Sequence, residues 1–164
     1  MDHETITQLR NLAIKFRTGV EKCDRRSLPI TFEEFPRGAC GDAALLLGKY
    51  LSNGGLGSFQ YVCGIRRRRH KEHEHAWLRQ GEVIIDITAD QFSEIHEPVI
   101  VTTNHTWYNA FRVRNEHEAD YELYDDRTKY MFADAYRKIV ESTEVLGLAS
   151  SVDKEKLTPA RTKL

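Results

Sequence analysis

Cysteine, charge of one sign and long apolar runs are all scarce in this sequence. The three cysteines are an odd number and show no paired spacing typical of a zinc site. Lys and Arg number 24 against 25 Asp and Glu, so there is no global charge to attract nucleic acid or an anionic membrane. No secretory signal, glycine-rich phosphate loop or internal repeat is found. We therefore expect a reducing cytoplasm, with signal-independent secretion as the alternative.

The length and composition indicate one globular domain. Hydrophobic residues make up 40% and charged residues 30% of the 164-residue chain, which is enough for one core but hardly for two. Helical and strand patterns both occur, which predicts an α+β fold. We expect the domain to span residues 1–149 and a disordered tail, rich in Lys, Thr and Ser, to follow over 150–164.

Hydrophobic periodicity predicts most of the secondary structure. Apolar residues at helical spacing predict an amphipathic helix over 4–23 and one long or two abutting helices over 120–148. Short apolar or alternating runs predict strands over 59–65 and 98–103. A loop is expected over 24–35, because this segment has a proline and a mixed polar sequence.

Cys40 lies between two glycines at the first turn of a predicted apolar helix. Pro36 stops regular structure before it. A thiol at the start of a helix experiences the positive end of the helix dipole and unpaired backbone N–H groups, both of which favour the nucleophilic thiolate. The alternative is a small buried apolar residue, as free cysteines commonly are. The helix itself is predicted from four apolar residues at helical spacing: Ala43, Ala44, Leu47 and Leu51.

Residues 73–88 predict a β-hairpin with its turn at Gln80-Gly81. A two-residue turn there sets His75 directly opposite Asp86 and predicts a hydrogen bond between them. A four-residue loop centred on the same dipeptide keeps this pairing, whereas a three-residue loop makes it diagonal. The other face is uniformly apolar and is expected to meet the core: Ala76, Leu78, Val83 and Ile85.

Two alternatives concern the same stretch. Asp90 is the rival of Asp86, but it follows four residues later and is expected beyond the end of the strand. His73 and His75 point to one face of a strand, which is compatible with a zinc site. No cysteine pair completes such a site, and a metal on His75 would occupy the base that a Cys40 nucleophile requires. We therefore expect no metal.

Cysteine at a helix start, followed by histidine and aspartate on successive strands, resembles the transglutaminase-like branch of the papain-like thiol enzymes. GACGDAALLLGKYL is similar to the nucleophile helix of that family, EHAWL to its histidine strand and IIDIT to its Asp-x-Thr strand. The resemblance covers roughly residues 35–92. It implies a cysteine helix packed on a small antiparallel sheet, flanked by N- and C-terminal helices. It also implies an acyl-transfer triad, with Cys40 as nucleophile, His75 as base and Asp86 as the residue that orients the imidazole.

Two further families share parts of this pattern. The chain resembles the leader peptidases of lasso-peptide pathways, in which a similar helix precedes a Gly-Ile/Val-Arg strand, as in residues 64–66, and a His-Ala-Trp strand. Arylamine acetyltransferases share the triad order and an Arg-Gly before the cysteine, but this chain is short for them. Arg37, Arg66 and Trp77 lie in these motifs and are the predicted substrate-binding residues.

The expected function is that of a thiol hydrolase or acyltransferase. It acts on an amide or peptide carbonyl of a peptide or protein substrate and needs no cofactor. Water and an amine are both left open as acyl acceptors. Two alternatives belong to other classes: a non-catalytic binding module on the same fold, and a nucleic-acid-binding protein that uses the run Arg66–Arg69. That run is expected to form a loop near the catalytic edge, and it suits carboxylate or phosphate groups.

Overall fold

The computed structural model of the chain describes the backbone of residues 2–155 and the side chains of residues 2–144. This part of the chain has an α+β fold with three α-helices and a five-stranded antiparallel sheet. None of the described helices combines the length and the apolar character that a membrane span requires. The helices are α1 (His3–Lys22), α2 (Cys40–Asn53) and α3 (Asp126–Glu155). The strands are β1 (Gln60–Arg68), β2 (Lys71–Gln80), β3 (Val83–Asp86), β4 (Ile100–Thr102) and β5 (Arg112–Glu118).

Most elements lie where the sequence pattern predicts them, but α3 and β5 differ from the prediction. α3 is a single helix that continues through residues 150–155, which were expected to belong to the tail. The rest of that predicted tail, residues 156–164, lies outside the described residues. β5 has no counterpart among the predicted strands.

The strand order β4-β3-β2-β1-β5 places β2, the strand that carries His75, at the centre of the sheet. α2 packs against β2 and β1, and α1 packs against α2, α3 and β4. The larger core lies between these helices and the sheet face that carries Leu78, Val83 and Ile85, as the alternation along the hairpin predicts. The opposite face is covered by a smaller cluster that is mostly aromatic: Val62, Trp77, Ile84, Phe92, Tyr108 and Phe111.

The run Arg66–Arg69 lies at the end of the β1–β2 hairpin, and only Arg69 belongs to the expected loop. Arg66 to Arg68 continue β1 and pair with the start of β2. Arg69 and His70 form the turn with φ of 49° and 65°, the left-handed conformation that a type I′ turn requires at both positions. Because strand alternation continues up to this turn, Arg66 and Arg68 lie on the same face of the sheet.

The β2–β3 hairpin also differs from its predicted register. Gly81 and Glu82 form a two-residue turn flanked by the pair Gln80 and Val83, so the register is displaced from the one centred on Gln80-Gly81. Gly81 has a φ of 56° and occupies the first turn position, where a type II′ turn favours glycine. The displacement is two residues, which leaves every side chain on its predicted face.

At Gly48, helix α2 closely approaches Ala119, the residue that follows β5. A Cβ atom there would lie 2.6 Å from the Cβ of Ala119 and 2.9 Å from its carbonyl oxygen, so the contact requires glycine. Leu46 and Leu47 of the same helix are buried in the larger core. This packing fixes the N-terminal end of α2, and with it Cys40, relative to β2.

Candidate active site

Cys40 is the first residue of α2. The N-cap residue, Ala39, makes no side-chain capping hydrogen bond, so no capping side chain occupies the backbone N–H groups of the first helical turn. The Cys40 side chain is a half-buried free thiol and shares a narrow internal space with Ala76 and Asp86 of the sheet. The helix start thus brings a thiol and N–H donors to the central strands.

His75 and Asp86 form a hydrogen-bonded pair that is closed to solvent. The distance from His75 Nε2 to Asp86 Oδ2 is 2.6 Å, and both side chains are 0% exposed. The observed register, continued by one pair, sets Asp86 opposite Trp77, so its contact with His75 is diagonal. The predicted direct pairing is therefore wrong, but the hydrogen bond is present because an imidazole is long enough to span a diagonal.

Asp86 accepts four hydrogen bonds. Its Oδ1 accepts from the backbone N–H of Thr88 at 2.9 Å and from the Thr88 hydroxyl at 3.3 Å, and its Oδ2 accepts from Tyr108 Oη at 3.0 Å and from His75. Burial alone raises the pKa of a carboxyl group. The charge and hydrogen bond of His75, helped by Thr88 and Tyr108, outweigh burial and lower the pKa of Asp86. Asp86 is therefore held as a carboxylate.

The same partners act on His75 in the opposite direction. Burial lowers the pKa of this imidazole, but the charge and hydrogen bond of Asp86 outweigh it, and Cys40 adds a further hydrogen bond and charge. The pKa of His75 rises to about 9 as a result. Because Asp86 occupies Nε2, Nδ1 is the ring nitrogen left to exchange a proton with Cys40. The three side chains lie near one another, since Cys40 shares an internal space with Asp86 and contributes to the raised pKa of His75.

Aromatic rings enclose the imidazole on the side away from the helices. Ring centroids of Phe92, Trp107 and Phe111 lie 5.1, 5.7 and 5.8 Å from that of His75. These rings exclude water from the His75–Asp86 pair, and electrostatic interactions are stronger in such a low-dielectric environment.

Asp90 has a different partner. Both of its carboxylate oxygens accept from the guanidinium of Arg17 at 2.8 Å. Arg17, whose side chain is 8% exposed, also donates to the carbonyl oxygens of Ile87 at 2.8 Å and Pro98 at 2.6 Å. Asp90 thus ties α1 to the segment after β3, and Asp86 is the carboxylate that contacts the histidine.

Gln91 is a site residue that the sequence did not single out. Its Nε2 donates to the carbonyl oxygen of Thr88 at 2.9 Å and lies 3.3 Å from Nδ1 of His75. Gln91 ends a short 3₁₀ turn, Ala89–Gln91, that follows β3. The spacing could have revealed it, because a residue three positions after Thr88 returns to the strand end through one 3₁₀ turn.

An open groove of about 760 Å³ begins beside these side chains, and we call it the basic groove. It lies between the β2 segment Lys71–Glu74 and the segment Gln91–Glu94, with Arg37 at its margin. Gln91 lines the groove and also contacts His75, so the groove leads to the His75 ring. Arg37, one of the predicted substrate-binding residues, is exposed here.

Arg66 also lines the basic groove, but its side chain is only 10% exposed. The guanidinium lies 4.7–4.8 Å from the ring centroids of Phe92, Trp107 and Phe111 and forms an ion pair with Glu94. Its Nε has no hydrogen-bond partner within the described part of the chain. Arg66 therefore forms part of the groove wall and holds Glu94 there.

Trp77 does not lie in the basic groove, in contrast to its predicted substrate contact. Its side chain is 4% exposed and packs against Tyr108 and Phe111, with ring centroids 5.1 and 5.7 Å away. The segment 107–111 supplies these rings and closes a second core over this face of the sheet. The structure places Trp77 in a core and does not bring it to Arg37.

The other two cysteines differ from Cys40 in position. Cys63 is buried on β1, and its thiol lies 3.3 Å from Oε1 of Glu74. Burial first, and then this carboxylate, raise the pKa of Cys63 to about 12, which disfavours its thiolate. Cys23 is half-buried and directly follows α1.

The histidines of β2 are not gathered into a metal site in the described structure. No group of three or more His, Cys, Asp or Glu side chains among the described residues is arranged to hold a metal ion. His73 lies edge-on to Phe92, and Nε2 of His75 is taken by Asp86.

Comparison of the chain with protein-family models, with curated protein sequences and with solved structures finds no match. The functional assignment therefore depends on the chemistry of the residues described above.

Proposed function

We propose that this chain is a cysteine-dependent acyl-transfer enzyme that acts on the amide or peptide carbonyl of a peptide or protein. The observation that carries the proposal is the buried His75–Asp86 pair, 2.6 Å apart, beside a cysteine that begins a helix. A buried charged pair loses solvation, and its replacement by apolar residues often leaves a protein at least as stable. Fold stability is thus a weak reason for such a pair, whereas activation of a thiol is a direct one.

In the proposed reaction the Cys40 sulfur attacks the substrate carbonyl carbon, so that a C–S bond forms and the carbonyl π electrons move to oxygen. The proton lost by the thiol is held on Nδ1 of His75, and Asp86 stabilises the imidazolium through Nε2–H. The C–N bond then breaks, the amine leaves with the proton from Nδ1, and a thioester remains on Cys40. Water or a second amine attacks this thioester and restores the thiol, which gives hydrolysis or acyl transfer.

Two N–H groups can stabilise the oxyanion that forms in these steps. One is the backbone N–H of Cys40 at the uncapped start of α2. The other is the side-chain N–H of Gln91, because Gln91 Nε2 lies 3.3 Å from Nδ1 of His75. While Nδ1 carries a proton it cannot accept from Gln91, so the Gln91 N–H is available to the oxyanion.

The resemblance to the transglutaminase-like branch of the papain-like enzymes belongs to the same proposal. It is supported by the chain order of Cys40, His75 and Asp86 and by a cysteine helix packed on an antiparallel sheet. All three cysteines are free thiols, which suits work in a reducing compartment such as the cytoplasm.

Covalent capture tests this proposal. A mixture of peptides that carry a carbonyl-like electrophile is incubated with the folded protein, and adducts are mapped by mass spectrometry. We expect the adduct on Cys40, with His75→Ala reducing its formation at least about a hundredfold. His70→Ala is the matched control, because His70 is exposed in the β1–β2 turn, does not contact Asp86 and does not line the groove beside the site. Equal labelling of Cys23, Cys40 and Cys63, or labelling of Cys40 that does not depend on His75, would contradict the proposal.

A further inference from the structure

The basic groove runs along a strand edge that no other strand covers. β1 pairs with β2 from Lys71 to Arg79, whereas β3 pairs with β2 only from Leu78 to Gln80. In the described structure the edge of β2 that faces away from β1 is therefore without a strand partner over Lys71–Glu74. The same four residues line the basic groove.

The two hairpin turns determine which backbone groups point into the groove. In a two-residue hairpin the residues that flank the turn hydrogen-bond to each other, and every second residue along the strand does the same. The β1–β2 turn thus directs the backbone groups of Lys71 and His73 towards β1, and the β2–β3 turn directs those of Gln80 towards β3. Both turns place the N–H and C=O groups of Glu72 and Glu74 on the side away from β1, facing the groove.

The acidic residue on the far wall of the groove is already neutralised. Glu94 forms ion pairs with Arg66 and, at 2.7 Å, with Arg68. Burial raises the pKa of Glu94, but the hydrogen bond from Arg66 outweighs it and lowers the pKa to about 2. These two arginines are thus engaged within the groove wall.

Three further cationic side chains line the basic groove. Arg37, Arg69 and Lys71 are exposed, line the groove and make no ion pair within the part of the chain that the structure describes. The carboxylate of Glu74 contacts the thiol of Cys63, which leaves Glu72 as the acid nearest to these cations along the strand. The groove therefore carries an excess of positive charge beside an open strand edge.

We propose that the basic groove binds an extended peptide segment with acidic side chains, which adds to β2 as a further strand. The peptide forms backbone hydrogen bonds with Glu72 and Glu74, and its Asp or Glu side chains pair with Arg37, Arg69 and Lys71. The neighbouring peptide bond then lies beside the triad. This inference rests on the proposed function, for which it names the substrate class.

Binding is measured on the Cys40→Ala protein, so that no chemistry is required. A fluorescein-labelled peptide of about eight residues with Asp or Glu at alternate positions is compared, by anisotropy, with its Asn/Gln analogue. We expect the acidic peptide to bind at least about tenfold more tightly and to lose this advantage at high salt. Arg37→Glu and Lys71→Glu should each raise its Kd about three- to tenfold. The matched control is Arg114→Glu, an exposed arginine on β5 outside the groove, which should change neither Kd.

Peptides methylated at single backbone nitrogens test the strand geometry without altering the protein. We expect N-methylation to weaken binding at every second position, because alternate N–H groups of an added strand face β2. Three results would each overturn the inference. The affinity could be independent of peptide charge, or the effects of N-methylation could lack a period of two. The third is stronger competition by a random DNA duplex than by the unlabelled peptide.

The two proposals fail in different ways. If the acidic peptide binds to Cys40→Ala as described but Cys40 of the wild-type protein is never captured, the proposed enzymatic function is rejected and the groove stands as a binding site. If Cys40 is captured by neutral and acidic electrophilic peptides at equal rates, the substrate class is rejected and the enzymatic function stands.

Discussion

At the scale of single residues, each member of the proposed triad owes its position to a different local cause. Cys40 lies at a helix start between small residues, and His75 lies on the central strand of the sheet. Asp86 ends β3, where the turn that follows lets the N–H and hydroxyl of Thr88 reach back to its carboxylate. All three residues could be proposed from the sequence because each position depends on a local pattern.

Asp86→Asn tests the role of the carboxylate. The amide cannot stabilise an imidazolium as a carboxylate does and favours the wrong tautomer, so we expect turnover of a captured substrate to fall on the order of a thousandfold or more. We also expect the free energy of unfolding to fall by about 1–3 kcal/mol, because an amide donor replaces an acceptor facing His75 and Tyr108. Turnover and urea unfolding are measured in parallel, with circular dichroism to verify the fold. Near-normal turnover would contradict the assigned role.

The same pair predicts a pH dependence of stability. His75 has a pKa of about 9 in the folded protein, above its ordinary value of roughly 6.5. The charged imidazole therefore stabilises the fold fully below about pH 6.5, and this contribution is lost as the pH rises through 9. We expect the free energy of unfolding to fall over this range in wild type and to fall less in Asp86→Asn. Parallel stability curves for the two proteins would contradict the coupling.

Gln91→Ala tests the proposed second oxyanion donor. Removal of one such donor costs about 10²–10³ in kcat in other enzymes, so we expect a loss of that order with KM little changed. Gln80→Ala is the control, because the Gln80 amide binds the carbonyl oxygens of Leu56 and Ser58 away from the triad. The control should lower stability and leave kcat near the wild-type value. Equal kcat losses in both variants would assign Gln91 to the fold alone.

At the scale of elements, the hairpin register shows what a local pattern can and cannot decide. The dipeptides Gln80-Gly81 and Gly81-Glu82 both form acceptable two-residue turns, with glycine at the second position of a type I′ turn or the first of a type II′ turn. The alternation of apolar residues is satisfied by either choice, because the registers differ by two residues. The faces of β2 and β3 could therefore be predicted, whereas the exact pairing could not.

Strand β5 could not be predicted either, again because a local sequence pattern does not determine it. It is an edge strand whose side chains are mostly exposed, so its sequence has no alternating apolar pattern. Its pairing with β1 also shifts register between Cys63 and Gly64. The partner that makes it a strand is distant in sequence, and local propensity does not report such a partner.

The ion pair between Arg17 and Asp90 connects α1 to the segment after β3. Its removal tests whether Asp90 stabilises the fold without acting on His75. Asp90→Asn removes the charge that faces an Arg17 side chain only 8% exposed, and we expect the free energy of unfolding to fall by about 1–3 kcal/mol. The pKa of His75 should stay unchanged. Urea unfolding and histidine NMR measure the two quantities. Asp134→Asn, in an exposed pair on α3, is the control and should alter stability little. A shift in the titration of His75 would show that Asp90 belongs to the site.

At the scale of the whole molecule, the sheet is covered on both faces, and this arrangement buries the His75–Asp86 pair. The larger core and the α2 helix lie on one side, and the aromatic cluster supplied by Phe92 and residues 107–111 lies on the other. The aromatic cluster on this second face explains why Trp77 is a core residue. Its place on the strand could be predicted, but the rings that cover it come from segments remote in sequence. The same limit applies to the position of Gln91, which depends on a turn after β3.

The central claim is that Cys40, His75 and Asp86 act as one unit, and ¹⁵N NMR of the His75 imidazole tests it most directly. The claim predicts a protonated ring at neutral pH that titrates at about 9, with a proton on Nε2 in both forms. Cys40→Ala and Asp86→Asn should each lower the pKa of His75, because both side chains raise it in wild type. A histidine that titrates near its ordinary value of roughly 6.5 and does not respond to the loss of Cys40 would contradict the claim.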